Sequence, residues 1–274
     1  MTGIVDWDKA YSNRDHVADW AYYVDKWTNA AAQFRAELSD AGRLRADLSY
    51  GAGERNKLDL LLPEGEPNGL AIFVHGGYWR SFDKSMWSHL SAGALAHGFA
   101  VAIPSYTLAP QARISAMTRE IASALTFAAS EVPGSIHLAG HSAGGHLVSR
   151  MVCVDTPLDT ATVRRIANVV SISGVHDLRP LLNTSMNDDI KLDTAEAASE
   201  SPALLTPVDN TKLTAWVGGG ELAEFIRQND LLANIWTGLG ARTRSIHDGD
   251  HHHFSVVNAL ADADSALTEA WLNI

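Results

Sequence analysis

The sequence predicts an α/β fold in which a mostly parallel central sheet carries helices on both faces, together with a small irregular cap. Three observations lead there. From Leu70 onward short apolar runs alternate with longer helical segments, the rhythm of parallel strands joined by crossover helices. A Gly-x-Ser-x-Gly pentapeptide, Gly140 to Gly144, stands between one such run and one such segment. The chain, 274 residues with 46% hydrophobic content, is long enough to bury one large core, and residues 1–274 are read as a single domain.

Residues 1–40 are expected to form an N-terminal helical extension. Tyr11-Ser-Asn-Arg-Asp-His16 leads into a stretch ending near Leu38 whose Val17, Trp20, Tyr23, Val24, Trp27, Ala31 and Phe34 recur at helical spacing, so one face packs on the main body. The apolar runs 44–50 and 57–62 flank Gly51-Ala-Gly53, the pattern of an antiparallel hairpin. Pro63, Gly65, Pro67 and Gly69 then mark a surface loop. Strands are expected at 70–74, 99–103, 135–139, 167–172, 213–217 and 242–247. Helices are expected at about 84–97, 115–130, 143–154 and 223–237, with a last one beginning near Phe254. Residues 176–210, with Pro180, Pro202, Pro207 and several Asp and Ser, break this rhythm and are expected to form an irregular excursion that covers the site as a small cap.

Charge and cysteine usage narrow the function classes. The 21 Lys+Arg against 32 Asp+Glu give a formal charge of −11, which opposes non-specific attraction to nucleic acid or an anionic membrane. A small-molecule partner is expected instead, and a homodimer is compatible with the composition. The first residues, Met-Thr-Gly-Ile-Val-Asp-Trp-Asp, show neither a basic n-region nor an apolar h-region, and no stretch approaches the ~18 apolar residues of a membrane span. Cys153 is the one cysteine, so no intrachain disulfide forms, and a reducing cytoplasm is the expected setting.

The chemistry is read from four positions. Gly140-His-Ser-Ala-Gly144 follows the apolar run Ser135 to Ala139 and precedes the helical Gly145 to Met151, the strand-turn-helix context of a nucleophile elbow. Glycines are needed on both sides because the turn is sharp and backbones approach closely, leaving the Ser142 oxygen above the sheet. This is the arrangement of an α/β-hydrolase fold. His75-Gly76-Gly77, at the end of an earlier strand, matches the oxyanion loop of lipases and esterases. The backbone N–H groups of Gly76, Gly77 and Ala143 are the candidate oxyanion donors, with His75 bracing the loop. A base is expected after the last strand, where His253 fits and His251 and His252 are rivals. The three histidines also admit a metal-site reading, but consecutive histidines in one loop rarely converge on one ion and no His-Glu-x-x-His pattern occurs. For the acid, Glu221 after Gly218-Gly-Gly220 is favoured by its loop position, with Asp177, Asp248 and Asp250 as rivals.

Together these residues resemble the kynurenine formamidase (arylformamidase) family of α/β-hydrolases. The similarity runs from the Tyr-Ser-Asn-Arg region through Lys57-Leu-Asp59, His75-Gly-Gly-Tyr-Trp79, Tyr106 to Pro110, Gly140 to Gly144, Ser173 to Leu178 and Glu224 to Gln228, and ends at His253-Phe254. It implies Ser142 as nucleophile, His253 as base and Glu221 as acid, where animal members carry Asp. It also implies hydrolysis of a small N-formyl arylamine amide such as N-formyl-L-kynurenine, in tryptophan catabolism, with no metal or organic cofactor. Tyr78, Trp79, Phe82 and Trp87 would then supply an aromatic pocket for the aryl group. The alternatives are a carboxylesterase of short-chain acyl esters using the same residues, a non-catalytic binding module, and a metal hydrolase using the histidine loop.

Overall fold

Central strands buried on both faces set the architecture. The structure is a computed structural model describing Ile4 and residues 6–274; Met1 to Gly3 and Val5, part of the start read for a targeting signal, lie outside the described residues. Among the described residues the strands are β1 (Leu44–Ser49), β2 (Lys57–Leu61), β3 (Leu70–Val74), β4 (Ala100–Pro104), β5 (Ile136–His141), β6 (Ile166–Ile172), β7 (Lys212–Gly218) and β8 (Arg242–Asp248). They form one sheet in the order β1-β2-β4-β3-β5-β6-β7-β8. β2 pairs antiparallel with β1 and β4, and the remaining neighbours are parallel. The hairpin expected at residues 44–62 is therefore the antiparallel margin of an otherwise parallel sheet, the α/β-hydrolase fold.

Because successive side chains of a strand face opposite ways, each central strand feeds two cores. In β3, Leu70, Ile72 and Val74 enter one and Ala71 and Phe73 the other; in β4, Ala100 and Ala102 oppose Val101 and Ile103. The first core is closed by the helices Ile114–Glu131, Ala143–Arg150 and Ala223–Gly238. The second lies under Trp20–Asp40, the segment 84–96 and the C-terminal Ala266–Leu272. Each fully buried Leu, Ile or Phe contributes about 1.5–3 kcal/mol.

The helix Trp20–Asp40 follows the spacing read from the sequence, with Trp27, Ala31 and Leu38 buried on one face. Trp27 anchors it, its ring 4.7 Å from Trp87 and its indole N–H donating to Asn258 Oδ1 at 2.8 Å. A second anchor is ionic. The fully buried carboxylate of Asp59 on β2 accepts from the Arg35 guanidinium of this helix, from Asp47 N at 2.9 Å and from Lys84 Nζ at 3.0 Å. One acidic side chain thus joins two strands, a helix and the segment that follows the β3 loop.

Three regions depart from expectation. The helix expected at 84–97 begins as a 3-10 turn, Lys84–Ser91, capped by Asp83, before Ala92–Ala96. The last expected helix is split into a 3-10 turn, Val256–Ala261, and Ala266–Leu272, which restarts at Ser265 as its side chain accepts from Thr268 N. Residues 176–210 are less irregular than their prolines imply, since Pro180 and Pro202 occupy the first turns of Arg179–Asn183 and Pro202–Leu204, where a missing N–H costs nothing. Between them lie the short helices Asn187–Ile190 and Thr194–Ser199. Arg113 binds Glu196 and Asp193, and Glu200 accepts from Thr118 and Arg150, which fastens the excursion to the first-core helices. Among the described residues no helix is long and apolar enough to cross a membrane.

Removing Asp59 leaves Lys84, only 8% exposed, without its buried counter-charge. Asp59→Asn is expected to lower unfolding free energy by about 3 kcal/mol in urea titrations, whereas Glu66→Gln on the surface should change it by less than about 0.5 kcal/mol. Equal stability of the two variants would show that the ion cluster carries no such weight.

Candidate active site

β5 ends at His141 and the helix Ala143–Arg150 begins two residues later, so Ser142 alone makes the turn. It does so at φ 56, ψ −118, a conformation costly for any residue with a Cβ. The turn closes only because glycine stands at both ends. A Cβ on Gly140 would lie 2.2 Å from the Gly144 carbonyl oxygen, and one on Gly144 would lie 1.9 Å from the carbonyl oxygen of Val74 on β3. Ser142 N donates to Ile172 O of β6 at 2.7 Å, so the strained residue is held from both neighbouring strands.

The loop after β3 runs directly beside it. A Cβ on Gly76 would meet Ser142 Cβ at 2.9 Å, and Gly77 has φ +107. His75 is fully buried; its Nδ1–H donates to Gly76 O at 2.8 Å, and its ring stacks on Tyr106 at 4.6 Å. Burial holds this imidazole down at about 4, so it is neutral near pH 7 and serves the loop as a brace. Gly76, Gly77 and Ala143 thus border Ser142 on one side.

On the other side stands His253, in the loop after β8. Its Nδ1–H donates to Glu221 Oε2 at 2.7 Å. This bond orients the ring and selects the tautomer of the neutral imidazole in which Nδ1 carries the hydrogen and Nε2 is the acceptor. The Glu221 carboxylate is buried and satisfied, Oε1 accepting from Gly218 N at 2.9 Å and from the Ser173 hydroxyl. The His253 ring lies 4.7 Å from both His141 and Phe225, and His141 Nε2–H donates to the His253 carbonyl at 2.9 Å. The rivals are engaged elsewhere. Asp177 pairs with Arg179 at 2.8 Å, Asp248 accepts from Trp216 Nε1 at 3.0 Å, and Asp250 is exposed. His251 contacts Ser255 Oγ at 3.2 Å and His252 meets Tyr23 edge-on at 4.8 Å, so the three consecutive histidines diverge.

Ser142 and His253 line a cavity of roughly 860 Å³. Of the four aromatic residues expected around it, Tyr78, Phe82 and Trp87 form its walls, joined by Phe254 and Met186. Trp79 does not. It is fully buried behind the loop with its ring edge-on to His146 at 5.3 Å. Tyr78 and Trp79 both adopt positive φ, 50 and 56, and this consecutive left-handed turn sends their side chains to opposite sides.

The cover also differs from expectation. From the excursion only Ser185, Met186 and Asp189 reach the cavity, whereas much of its rim comes from residues 6–15. This strap is pinned at both sides of the site: the Tyr78 hydroxyl donates to Tyr11 O, and His16 Nε2–H donates to Gly220 O at 2.9 Å beside the acid loop. Tyr11 OH donates to Glu224 Oε1 at 2.5 Å, and Gln228 Nε2 reaches both. Sequence reasoning assigned no role to Ser173, Tyr11, Asn13, Glu224 or Gln228. The available signal was the cluster of polar residues between Ser12 and His16, at the entry of an otherwise amphipathic segment.

Two stability outcomes follow from this packing. Gly144→Ala forces a backbone collision and is expected to cost at least ~3 kcal/mol, measured by denaturant unfolding; a loss below about 1 kcal/mol would show that the elbow can relax. His75 and His146 are held down at about 4 and about 3 by burial, below the ordinary 6.5. The unfolded chain therefore takes up these protons first, so the stability they contribute is complete above about pH 6.5 and is lost as pH falls toward 4. Urea midpoints at pH 5 should lie below those at pH 7.5, and a flat profile would contradict this account.

Comparison with known proteins agrees with the geometry. The BD-FAE family profile matches residues 58–215, more than half of the chain, from β2 into β7. The kynurenine formamidase of Danio rerio is 26% identical over 83% of this chain and 80% of its own length, and that of Drosophila melanogaster is 27% identical over 92% and 88%. A crystal structure of a proposed thioesterase from Silicibacter sp. TM1040 is 48% identical, superposes with a TM-score of 0.93, and covers 97% of this chain and 99% of that one. The chain belongs to the BD-FAE family of α/β-hydrolases, with kynurenine formamidases among its relatives over most of its length.

Proposed function

We propose that this hydrolase is a serine enzyme that cleaves a small N-formyl arylamine amide, such as N-formyl-L-kynurenine, to formate and the free amine through an acyl-enzyme. The observation that carries the reading is the buried Glu221–His253 pair at 2.7 Å, sharing one cavity with a serine held at positive φ. Ser142 Oγ attacks the formyl carbon as His253 Nε2 takes its proton, and Glu221 stabilises the imidazolium. The oxyanion accepts from the N–H groups of Gly76, Gly77 and Ala143, each such donor lowering the barrier by about 3 kcal/mol. Collapse expels the amine, which takes the proton from His253. Water, deprotonated by the same imidazole, then attacks the formyl-serine and releases formate. The scheme uses no metal or organic cofactor.

The formyl arylamine assignment is supported by the kynurenine formamidases of two animals and by the aromatic walls of the cavity, Tyr78, Phe82 and Trp87. A second reading, hydrolysis of a short acyl ester or thioester by the same residues, is favoured by the 48% identical relative described as a thioesterase. Only the leaving atom differs.

Formate release from N-formyl-L-kynurenine separates the two when p-nitrophenyl acetate and an acetyl thioester are run beside it. The formamide should be the best substrate by kcat/KM, and Ser142→Ala should abolish turnover together with labelling by a fluorophosphonate. Turnover of the ester or thioester alone, still through Ser142, would select the second reading, and labelling that survives the mutation would remove both. Glu221→Gln is expected to lower kcat by about 10³–10⁴, while Asp248→Asn should stay within about threefold of the unmodified protein; the opposite ranking would make Asp248 the acid.

A further inference from the structure

Asn13 carries an amide oxygen that neither the fold nor the proposed reaction uses. It stands on the strap, is 3% exposed, and lines the same cavity as Ser142 and His253. Its orientation follows from its partner. The Tyr78 hydroxyl has one hydrogen, committed to the Tyr11 carbonyl, so toward Asn13 it can only accept, and the Asn13 Nδ2–H group donates to it at 3.2 Å. The amide is thereby oriented, and Oδ1 is left as a buried acceptor with no protein partner. A buried acceptor left unpaired costs free energy, and a ligand that supplies a donor recovers it. The side chain is held in place for such a ligand. Tyr11 is bonded to Glu224, and His16 to Gly220 beside the acid loop, so Asn13 is carried between the oxyanion loop and the loop of Glu221.

We propose that Asn13 is a specificity-determining residue whose Oδ1 accepts a hydrogen bond from the scissile N–H of the substrate, so that the site selects secondary amides over esters. The inference rests on the formamidase reading and adds to it the group that recognises the leaving nitrogen. An ester has no hydrogen at the leaving atom and would place an oxygen lone pair against Oδ1. A tertiary amide would place a methyl group there. Sites built to bond a substrate N–H discriminate against analogues lacking it more strongly than apolar pockets discriminate by size. In the tetrahedral intermediate the same bond turns the nitrogen lone pair away from Asn13 and toward His253, which must protonate it.

The test uses formanilide, N-methylformanilide and phenyl formate on the whole chain, with kcat/KM divided by the alkaline hydrolysis rate of each compound. In the unmodified protein N-methylation should lower the normalised value at least tenfold. In Asn13→Leu the ratio of formanilide to phenyl formate should fall tenfold or more, and the penalty for N-methylation should shrink toward one. A role confined to holding Tyr78 predicts instead an equal loss on amide and ester with the ratio unchanged, and that result would overturn the proposal. Should Asn13→Leu lack a cooperative thermal transition, the unmodified protein still decides: indifference to N-methylation removes the role assigned to Oδ1. The formamidase reading fails separately, by the absence of Ser142-dependent turnover on any amide, and its failure overturns this inference as well. Amide turnover that ignores the N–H overturns only the inference.

Discussion

A single residue of turn between β5 and its helix is the constraint from which the site follows. With only Ser142 available, the backbone must enter the left-handed region, and Gly140 and Gly144 must pass within a carbonyl's width of each other and of Val74. That contact requires β3 and β5 to be neighbours, which they are, with Val74 opposite Gly140. It also delivers the Gly76–Gly77 backbone to the flank of Ser142, since the loop leaves β3 one residue beyond the contact. The parallel sheet is thus more than a scaffold: its strand order decides that the serine and the candidate oxyanion donors arise side by side, at the carboxyl ends of adjacent strands.

The proposed acid and base approach from the opposite side by the same logic. β7 and β8 end together, Gly218 opposite Asp248, and release the loops bearing Glu221 and His253. Three donors converge on the buried Glu221 carboxyl group, from Gly218, Ser173 and His253. Ser173 is itself at positive φ, 52, in the loop after β6. A second constrained serine therefore supports the candidate acid, and three strand ends, those of β6, β7 and β8, contribute to one short chain of bonds.

Strands and elbow were legible because their signals are local. The central apolar runs are bounded by loop residues and shift by only a residue or two in the structure, as at β4 and β6, and the glycines around Ser142 report a backbone conformation that few other residues allow. Ranking the acids drew on chain order and loop position, and the Glu221–His253 bond agrees with the residue favoured by that argument. What escaped is long-range or directional. Tyr11 finds Glu224 and Asn13 finds Tyr78 across separations of 213 and 65 residues, with no periodicity to announce either pair. Trp79 looked equivalent to Tyr78 because composition carries no direction; two consecutive positive φ values decide which ring faces the cavity. Pro180 and Pro202 read as breakers, yet at the first turn of a helix they are starters.

The strap has a consequence for the order in which the protein matures. Two of the groups that hold it, Gly220 and Glu224, are made more than two hundred residues after the His16 and Tyr11 they bind. At translation rates of roughly 5–20 residues per second, the strap waits on the order of ten seconds or more for these two partners. The sheet, the elbow and the acid loop must assemble beneath an open rim before it can dock. A nascent chain halted short of Gly220 would thus display the aromatic walls of the cavity uncovered, a surface suited to chaperone contact, and closing the rim with residues 6–16 becomes one of the last events of folding.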